Sequence, residues 1–323
     1  MSEPARIPRP SRRDGGKSER RESADSLTVA CFGELLWDCL PRGLFLGGAP
    51  TNAAYHLSQH GMNVLSITAV GRDFLGEEAL RRMGAWGLDL KFGGRERRWP
   101  TGTVRATLDA KGVASYEITR AVAWDHISAP EALRRRAPAA LVHGTLALRA
   151  KPNRRALAQL LESWPHTLRV VDLNFRQPFA TRAVTEFALR SAQLVKLNDE
   201  ELATLTGVTG KTSAALAKAA RVFASRHRIE RVCVTAGARG AGLWWDEEWH
   251  WEPARPVNVR DTIGAGDAFL GGLLGALLVR QAKPAEALSR ACRMGEFVAA
   301  RDGATPAYQL DSDGRPVEPS AVN

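Results

Sequence analysis

Short β-rich runs and helical stretches alternate along most of this chain, and that alternation constrains the fold more than any other feature. Leu27–Gly33 reads as a strand, Thr51–Gly61 as an amphipathic helix closed by Gly61, Val64–Val70 as a second strand followed by Gly71, and Gly76–Gly87 as a second helix. Further on, Ala139–His143, Leu168–Asp172, Leu194–Leu197 and Arg231–Thr235 are short apolar runs that end in polar or glycine residues, with helical stretches between them. Strands linked through helices run parallel, and the helices then cover both faces of the sheet. The expected fold class is therefore α/β, a mostly parallel central sheet between helical layers. Ligands of such sheets gather at the carboxyl ends of the strands, where these polar residues fall. Lys91–Trp124 breaks the alternation: Thr103–Leu108 has period-two patterning, Asp109–Gly112 reads as a turn, and Val113–Thr119 as a second run. Together with Leu35–Leu46, residues 91–124 are expected to form a small β-sheet lid over the ligand face.

Composition bounds the remaining choices. With 323 residues, 44% hydrophobic and 25% charged, the chain has the ordinary globular mixture and length for one large domain or two. Residues 1–26 carry Pro4, Pro8, Pro10, Gly15 and Gly16 among mixed charges and almost no large apolar side chains, so they read as a disordered basic tail. They have no apolar core of a secretory signal, and their acidic residues argue against an organellar transit peptide. Residues 27–310 form the expected domain and residues 311–323 a flexible C-terminal tail. The four cysteines, Cys31, Cys39, Cys233 and Cys292, have neither disulfide-framework nor zinc spacing, which points to reduced thiols and a cytoplasmic protein. The longest apolar run, Ala268–Val279, is too short to cross a bilayer, so no membrane partner is expected. Forty-five Lys and Arg against 35 Asp and Glu give a net charge of +10, which favours anionic partners in general. The basic clusters Arg95–Arg98 and Arg134–Arg136 lack aromatic interleaving and read as solvated surface, so no nucleic-acid partner is expected.

The strongest chemical signal is Asp261-Thr262-Ile263-Gly264-Ala265-Gly266-Asp267, immediately ahead of the apolar run. Three small residues let the backbone approach a ligand, and the helix that follows points its free N–H groups and positive end at it. Such a loop is an anion hole. Asp267 then stands where a general base for a phosphoryl acceptor must stand, although the motif alone equally fits a helix cap. A competing phosphate-loop reading of Gly207–Thr212 fails, because Leu205 occupies the position of the first required glycine and no strand precedes it.

That motif, together with Gly47-Gly48-Ala49-Pro50-Thr51-Asn52-Ala53-Ala54, resembles the two signatures of the ribokinase-like (PfkB) carbohydrate kinase family. The resemblance runs from about Leu27 to Pro306 and includes, in order, Val70–Gly76, Asp172–Arg176, Lys196–Glu201, Thr235–Gly240 and Gly303–Pro306. Within the family, Gly33–Asp38, Pro100–Val104 and Ala123–Ile127 look most like bacterial fructokinases. The resemblance implies a ribokinase-like fold and an ATP-dependent sugar kinase, with fructose as leading acceptor. It leaves 2-keto-3-deoxygluconate, another sugar, a nucleoside, or a non-catalytic sugar-binding role as alternatives.

The resemblance also implies roles for particular residues. Asp267 would take the proton of the sugar hydroxyl while Gly264, Ala265 and Gly266 offer backbone N–H groups to the transferring phosphoryl. Asp38, Gly47, Gly48 and Asn52 would hold the sugar, joined by Asn174 and Arg176, the last of which equally fits a structural ion pair. Asn198, Thr235, Gly237 and Gly240 would line the nucleotide. Glu201, with Asn198, would hold Mg²⁺, although an acid in the first turn of a helix is also ordinary. Asp261 and the carbonyl of Ile263 resemble part of a K⁺ site. A lid over the sugar would exclude water, with Val122 and Trp124 as its apolar cover, although a buried Trp is more often core, and the resemblance admits a homodimer through the lid. Ala49 and Pro50 stand where ribokinases carry Lys, which argues against ribose.

Overall fold

The computed structural model describes residues 27–319, apart from 41–42 and 109–113. The N-terminal tail and the Asp109–Gly112 turn thus lie outside the described residues. Eight strands form the central sheet in the spatial order Glu248–Glu252, Ala241–Trp245, Arg231–Thr235, Leu194–Asn198, Leu168–Asp172, Ala140–His143, Thr28–Phe32 and Asn63–Ile67. All neighbours from Arg231–Thr235 to Asn63–Ile67 pair parallel, and the last two strands at the opposite edge pair antiparallel. The inner strands are buried on both faces, as their continuous apolar runs require.

Two helices fix the geometry that matters most. Ala49–Gln59 starts at Gly48 and Ala265–Leu274 starts at Gly264, and both glycines have positive φ, 108° and 77°. The second helix continues through a π-helical turn, Gly275–Val279, so the long apolar run is one rod, buried as far as Leu278. Its glycines let neighbours approach closely: a Cβ on Gly271 would meet His56 at 2.5 Å, and one on Gly272 would meet Met294 at 2.6 Å. The rod is thereby clamped between Ala49–Gln59 and Pro284–Ala299, which fixes where its first turn stands.

The lid is a four-stranded sheet in the order Gly43–Gly47, Leu36–Leu40, Gly102–Leu108, Ala114–Ile118. Only part of 91–124 belongs to it, because Gly94–Glu96 pairs instead with Ala69–Gly71, which is separate from Asn63–Ile67. Val122 and Trp124 are not its cover. Both are fully buried in the main core, and Gly102 leaves the room that the Trp124 indole fills beneath the lid strand. The C-terminal stretch also departs from the flexible tail expected of it. Gln309–Leu310 pairs with Pro316–Val317, Asp311 accepts from the Arg315 backbone N–H at 2.8 Å, and Arg301 reaches Glu318. Turn-rich composition gave no hint of this hairpin, because its anchors lie in other elements.

Candidate active site

Where the carboxyl ends of the central strands face the lid, a cavity of about 540 Å³ opens. Asp267 lies at its floor, in the first turn of Ala265–Leu274, and is 7% exposed. The Asn52 amide donates to Asp267 Oδ2 at 2.8 Å, so the two helix starts meet at the carboxylate. Burial pushes the Asp267 carboxyl up to about 7; Asp172 adds to the rise, and Lys196, Asn52 and Arg176 oppose it. A carboxyl so poised accepts a proton at neutral pH far better than an exposed one.

The anion-hole loop surrounds that floor. Gly264 is the N-cap, and a Cβ there would lie 2.3 Å from the Ala304 Cβ, so backbone conformation and packing both demand glycine. The Ala265 N–H donates to the Thr262 carbonyl at 3.3 Å, which turns it partly away. Gly264 and Gly266 line the cavity and Ala265 does not. Asp261 steadies the loop, accepting from the Ile263 N–H at 3.0 Å and from the Gly303 N–H at 3.3 Å.

At the opposite end the structure brings together Asp38, Gly48, Asn52, Asn174 and Arg176, all lining the cavity. Gly47 is needed behind them, since a Cβ there would lie 2.5 Å from Asp38 Oδ2. Asn174 takes a left-handed backbone, φ 39°, which asparagine tolerates better than most residues. Burial raises Asp38 to about 6, opposed by the exposed guanidinium of Arg176. Leu36, Val104 and Ile118 of the lid supply the apolar wall that Val122 and Trp124 do not.

The residues expected to line the nucleotide lie outside the cavity lining, at the ends of the next two strands. Asn198 and Thr235 are register partners, and Gly237 and Gly240, both of positive φ, bracket the turn that follows. Glu201 is engaged by backbone: its two carboxylate oxygens accept from the N–H groups of Phe175 at 2.6 Å and Asn198 at 2.8 Å. Asn198 Oδ1 accepts from the Glu201 N–H in return, closing a reciprocal cap of Asp199–Thr206. Gly207–Thr212 is a helix end and a helix start, with Gly207 left-handed and Thr212 capping Ser213–His227.

Comparison with known proteins supplies the decisive observation. The profile of the pfkB family of carbohydrate kinases matches residues 26–310. The chain belongs to this family. Among curated relatives, it is 31% identical to a fructokinase of Klebsiella pneumoniae over 259 residues, covering 76% of this chain and 83% of the relative. A fructokinase of Escherichia coli is 29% identical over 279 residues, covering 78% and 85%. Among solved structures, the fructokinase of Xylella fastidiosa with bound ATP superposes with a TM-score of 0.73 at 23% identity, covering 86% of this chain and 94% of that one. The Vibrio cholerae fructokinase bound to fructose, ADP and calcium gives 0.71 at 23%, with the same coverage. These two likenesses establish the fold of this carbohydrate kinase.

Two charged cavity residues of the kinase escaped the sequence reading. Lys196 is buried, and its Nζ donates to both Asp172 oxygens at 2.9 and 2.8 Å. Glu34 is 3% exposed, and its Oε2 has no hydrogen-bond partner. Burial lifts Glu34 to about 7, with Arg176 opposing and Asp267 adding. A charged residue inside a strand-like apolar run was the available signal for Lys196, and an acid directly after Gly33 the signal for Glu34.

Proposed function

We propose that this carbohydrate kinase transfers the γ-phosphoryl group of ATP to a hydroxyl of a neutral ketohexose, with fructose giving fructose 6-phosphate as the leading reaction. The observation that carries this reading is Asp267: a buried carboxyl near neutral pKa, held by Asn52 at the start of a clamped helix and facing a cavity of sugar size. In this reading the sugar hydroxyl gives its proton to Asp267 as its oxygen attacks the γ-phosphorus and ADP departs. The fructokinase relatives favour fructose, and so does the acceptor end, where Glu34 and Asp38 suit hydroxyl donors better than an anionic acceptor. Arg176 on the same wall is the feature that would suit a carboxylate such as 2-keto-3-deoxygluconate, so that acid belongs in the test.

Magnesium enters as part of the nucleotide substrate. Mg²⁺ takes few protein oxygens and keeps much of its water. Glu201 and Asn198 fit that requirement through water, because each Glu201 oxygen already accepts one backbone N–H and retains a further lone pair. K⁺ beside Asp261 and the Ile263 carbonyl would stabilise the anion-hole loop, and replacing K⁺ by a bulky organic cation in the assay tests it.

The deciding experiment measures ADP release with MgATP across fructose, glucose, ribose, 2-keto-3-deoxygluconate and adenosine, beside Asp267→Asn. Turnover of fructose is expected, and Asp267→Asn should lower it by roughly 10²- to 10⁴-fold while ATP still binds. Binding without turnover of any sugar would replace this reading by a non-catalytic sugar-binding one.

A further inference from the structure

Lys196 and Asp172 form a buried ion pair at the floor of the cavity, with side chains 8% and 6% exposed. A buried pair contributes little net stability, because desolvating both charges offsets most of their attraction, and apolar replacements of similar volume often serve as well. A kinase that keeps a lysine there has a reason to seek in the site itself. Position supplies one. Lys196 lines the cavity, and its Nζ would lie 3.2 Å from a Cβ on Gly266, so the ammonium rests against the anion-hole backbone. Nζ carries three N–H groups, and Asp172 takes two. Among the cavity-lining residues the other cation is Arg176, which faces Asp38 and Glu34 at the acceptor end.

We infer that Lys196, pinned by Asp172, is a catalytic residue whose remaining N–H neutralises the charge that gathers on the transferring phosphoryl group. The inference rests on the proposed phosphoryl transfer. In that step a bond forms between the acceptor oxygen and the γ-phosphorus, the bond from that phosphorus to the β–γ bridging oxygen breaks, and the proton passes to Asp267. Negative charge is then spread over three equatorial oxygens and the leaving oxygen. Backbone N–H groups at a helix start offer only partial charges, whereas a fixed ammonium in a water-poor site offers a full one. Asp172 has a defined part: it keeps Lys196 protonated against the penalty of burial, and it fixes where Nζ points. Asp172 also raises Asp267 while Lys196 lowers it, so the pair leaves the base poised without neutralising it.

Two variants separate this role from simple neutralisation of Asp172. Lys196→Met leaves a lone buried carboxylate, which costs stability, so it is paired with Lys196→Met/Asp172→Asn, which removes both charges. Melting curves report whether each variant folds. The readouts are kcat with fructose, and affinities for MgADP and for MgADP with aluminium fluoride, a mimic of the transferring phosphoryl. We expect both variants to lose roughly 10²- to 10³-fold in kcat, as removal of one charge-stabilising donor typically does. Affinity for the aluminium fluoride complex should fall by a comparable factor, and affinity for MgADP should change by less than about threefold, since transition-state contacts are spared in the ground state. Recovery of the double variant to within about threefold of wild type in kcat and in aluminium fluoride affinity would overturn the inference and leave Lys196 as the partner of Asp172 only. If wild type turns over none of the sugars, the proposed function fails by that result, and the aluminium fluoride comparison still decides the role of Lys196.

Discussion

The two ends of the cavity are built by opposite means. The end proposed above for the phosphoryl group is main chain from one stretch, residues 261–267, backed by Ala304 and by the Lys196–Asp172 pair, and the other is the end proposed for the acceptor. The acceptor end is side chains from separate places: Glu34 and Asp38 near the first strands, Asn52 on a helix, Val104 and Ile118 on the lid, and Asn174 and Arg176 after Leu168–Asp172. A backbone site is fixed by conformation and tolerates almost no change, whereas a site of converging side chains is adjusted one residue at a time. The phosphoryl end should therefore respond to substitution in an all-or-none way, and the acceptor end in degrees.

The sharpest way to break that contrast is Gly264→Ala. The substitution forces a side chain into a backbone of φ 77° and drives its Cβ within 2.4 Å of both Ala304 Cα and Cβ. We expect turnover to fall by at least about 10²-fold, the scale of losing an oxyanion-type donor, together with a lowered melting temperature. Gly61→Ala is the control, since its φ is 79° but nothing lies within 4 Å of the new Cβ. That variant should lose only about 1–2 kcal/mol of stability through backbone strain and keep its turnover. Equal losses of turnover in the two variants would mean that strain alone is at work and the anion hole is not special.

At the acceptor end, Glu34→Gln is expected to act by degrees. The substitution keeps the shape of the side chain, while its amide group replaces the unpartnered oxygen with a donor. The KM for the acceptor sugar should rise about tenfold, the scale of one hydrogen bond to a charged group, with the KM for ATP and the melting temperature nearly unchanged. A fall in melting temperature with an unaltered sugar KM would make Glu34 a cap of the Ala49–Gln59 helix and nothing more.

The same contrast explains what could be read from the sequence. The 261–267 loop was legible as a helix start because it needs small residues at fixed spacing ahead of a helix, and contiguous constraints leave contiguous signatures. Most central strands were legible for a similar reason, their apolar runs ending at polar residues such as Asp172 and Asn198. Glu34 and Lys196 were not, because nothing near them in the chain shows that one will leave an oxygen unpaired and the other will lean on Gly266. The antiparallel edge was missed because Ala241–Trp245 lacks a clean period and its glycine-rich approach reads as a turn, although Glu248–Glu252 alternates with period two. Trp124 was misplaced onto the lid since sequence shows that a tryptophan will be covered, and never by what.

The gentlest test uses pH, and it sets the proposed catalytic carboxyl against the stability of the protein around it. Asp267 must be deprotonated to accept a proton, and burial holds it near 7, so kcat/KM for the sugar should fall about tenfold per pH unit below that value. Its effect on folding runs the other way. The folded state, with the carboxyl raised from 3.8, binds this proton more tightly than the unfolded chain does. Its contribution to stability is therefore fully present below about 4 and is lost as pH rises through about 7. Between pH 5 and 8, activity should climb while the melting temperature of wild type, measured relative to Asp267→Asn, declines. Asn cannot titrate, so subtracting its curve removes the other ionisable groups, and a flat difference would mean that Asp267 ionises as freely as an exposed carboxylate. A declining difference joined to an acid limb near 7 would show that the enzyme carries a destabilised carboxylate at neutral pH because the reaction needs it there.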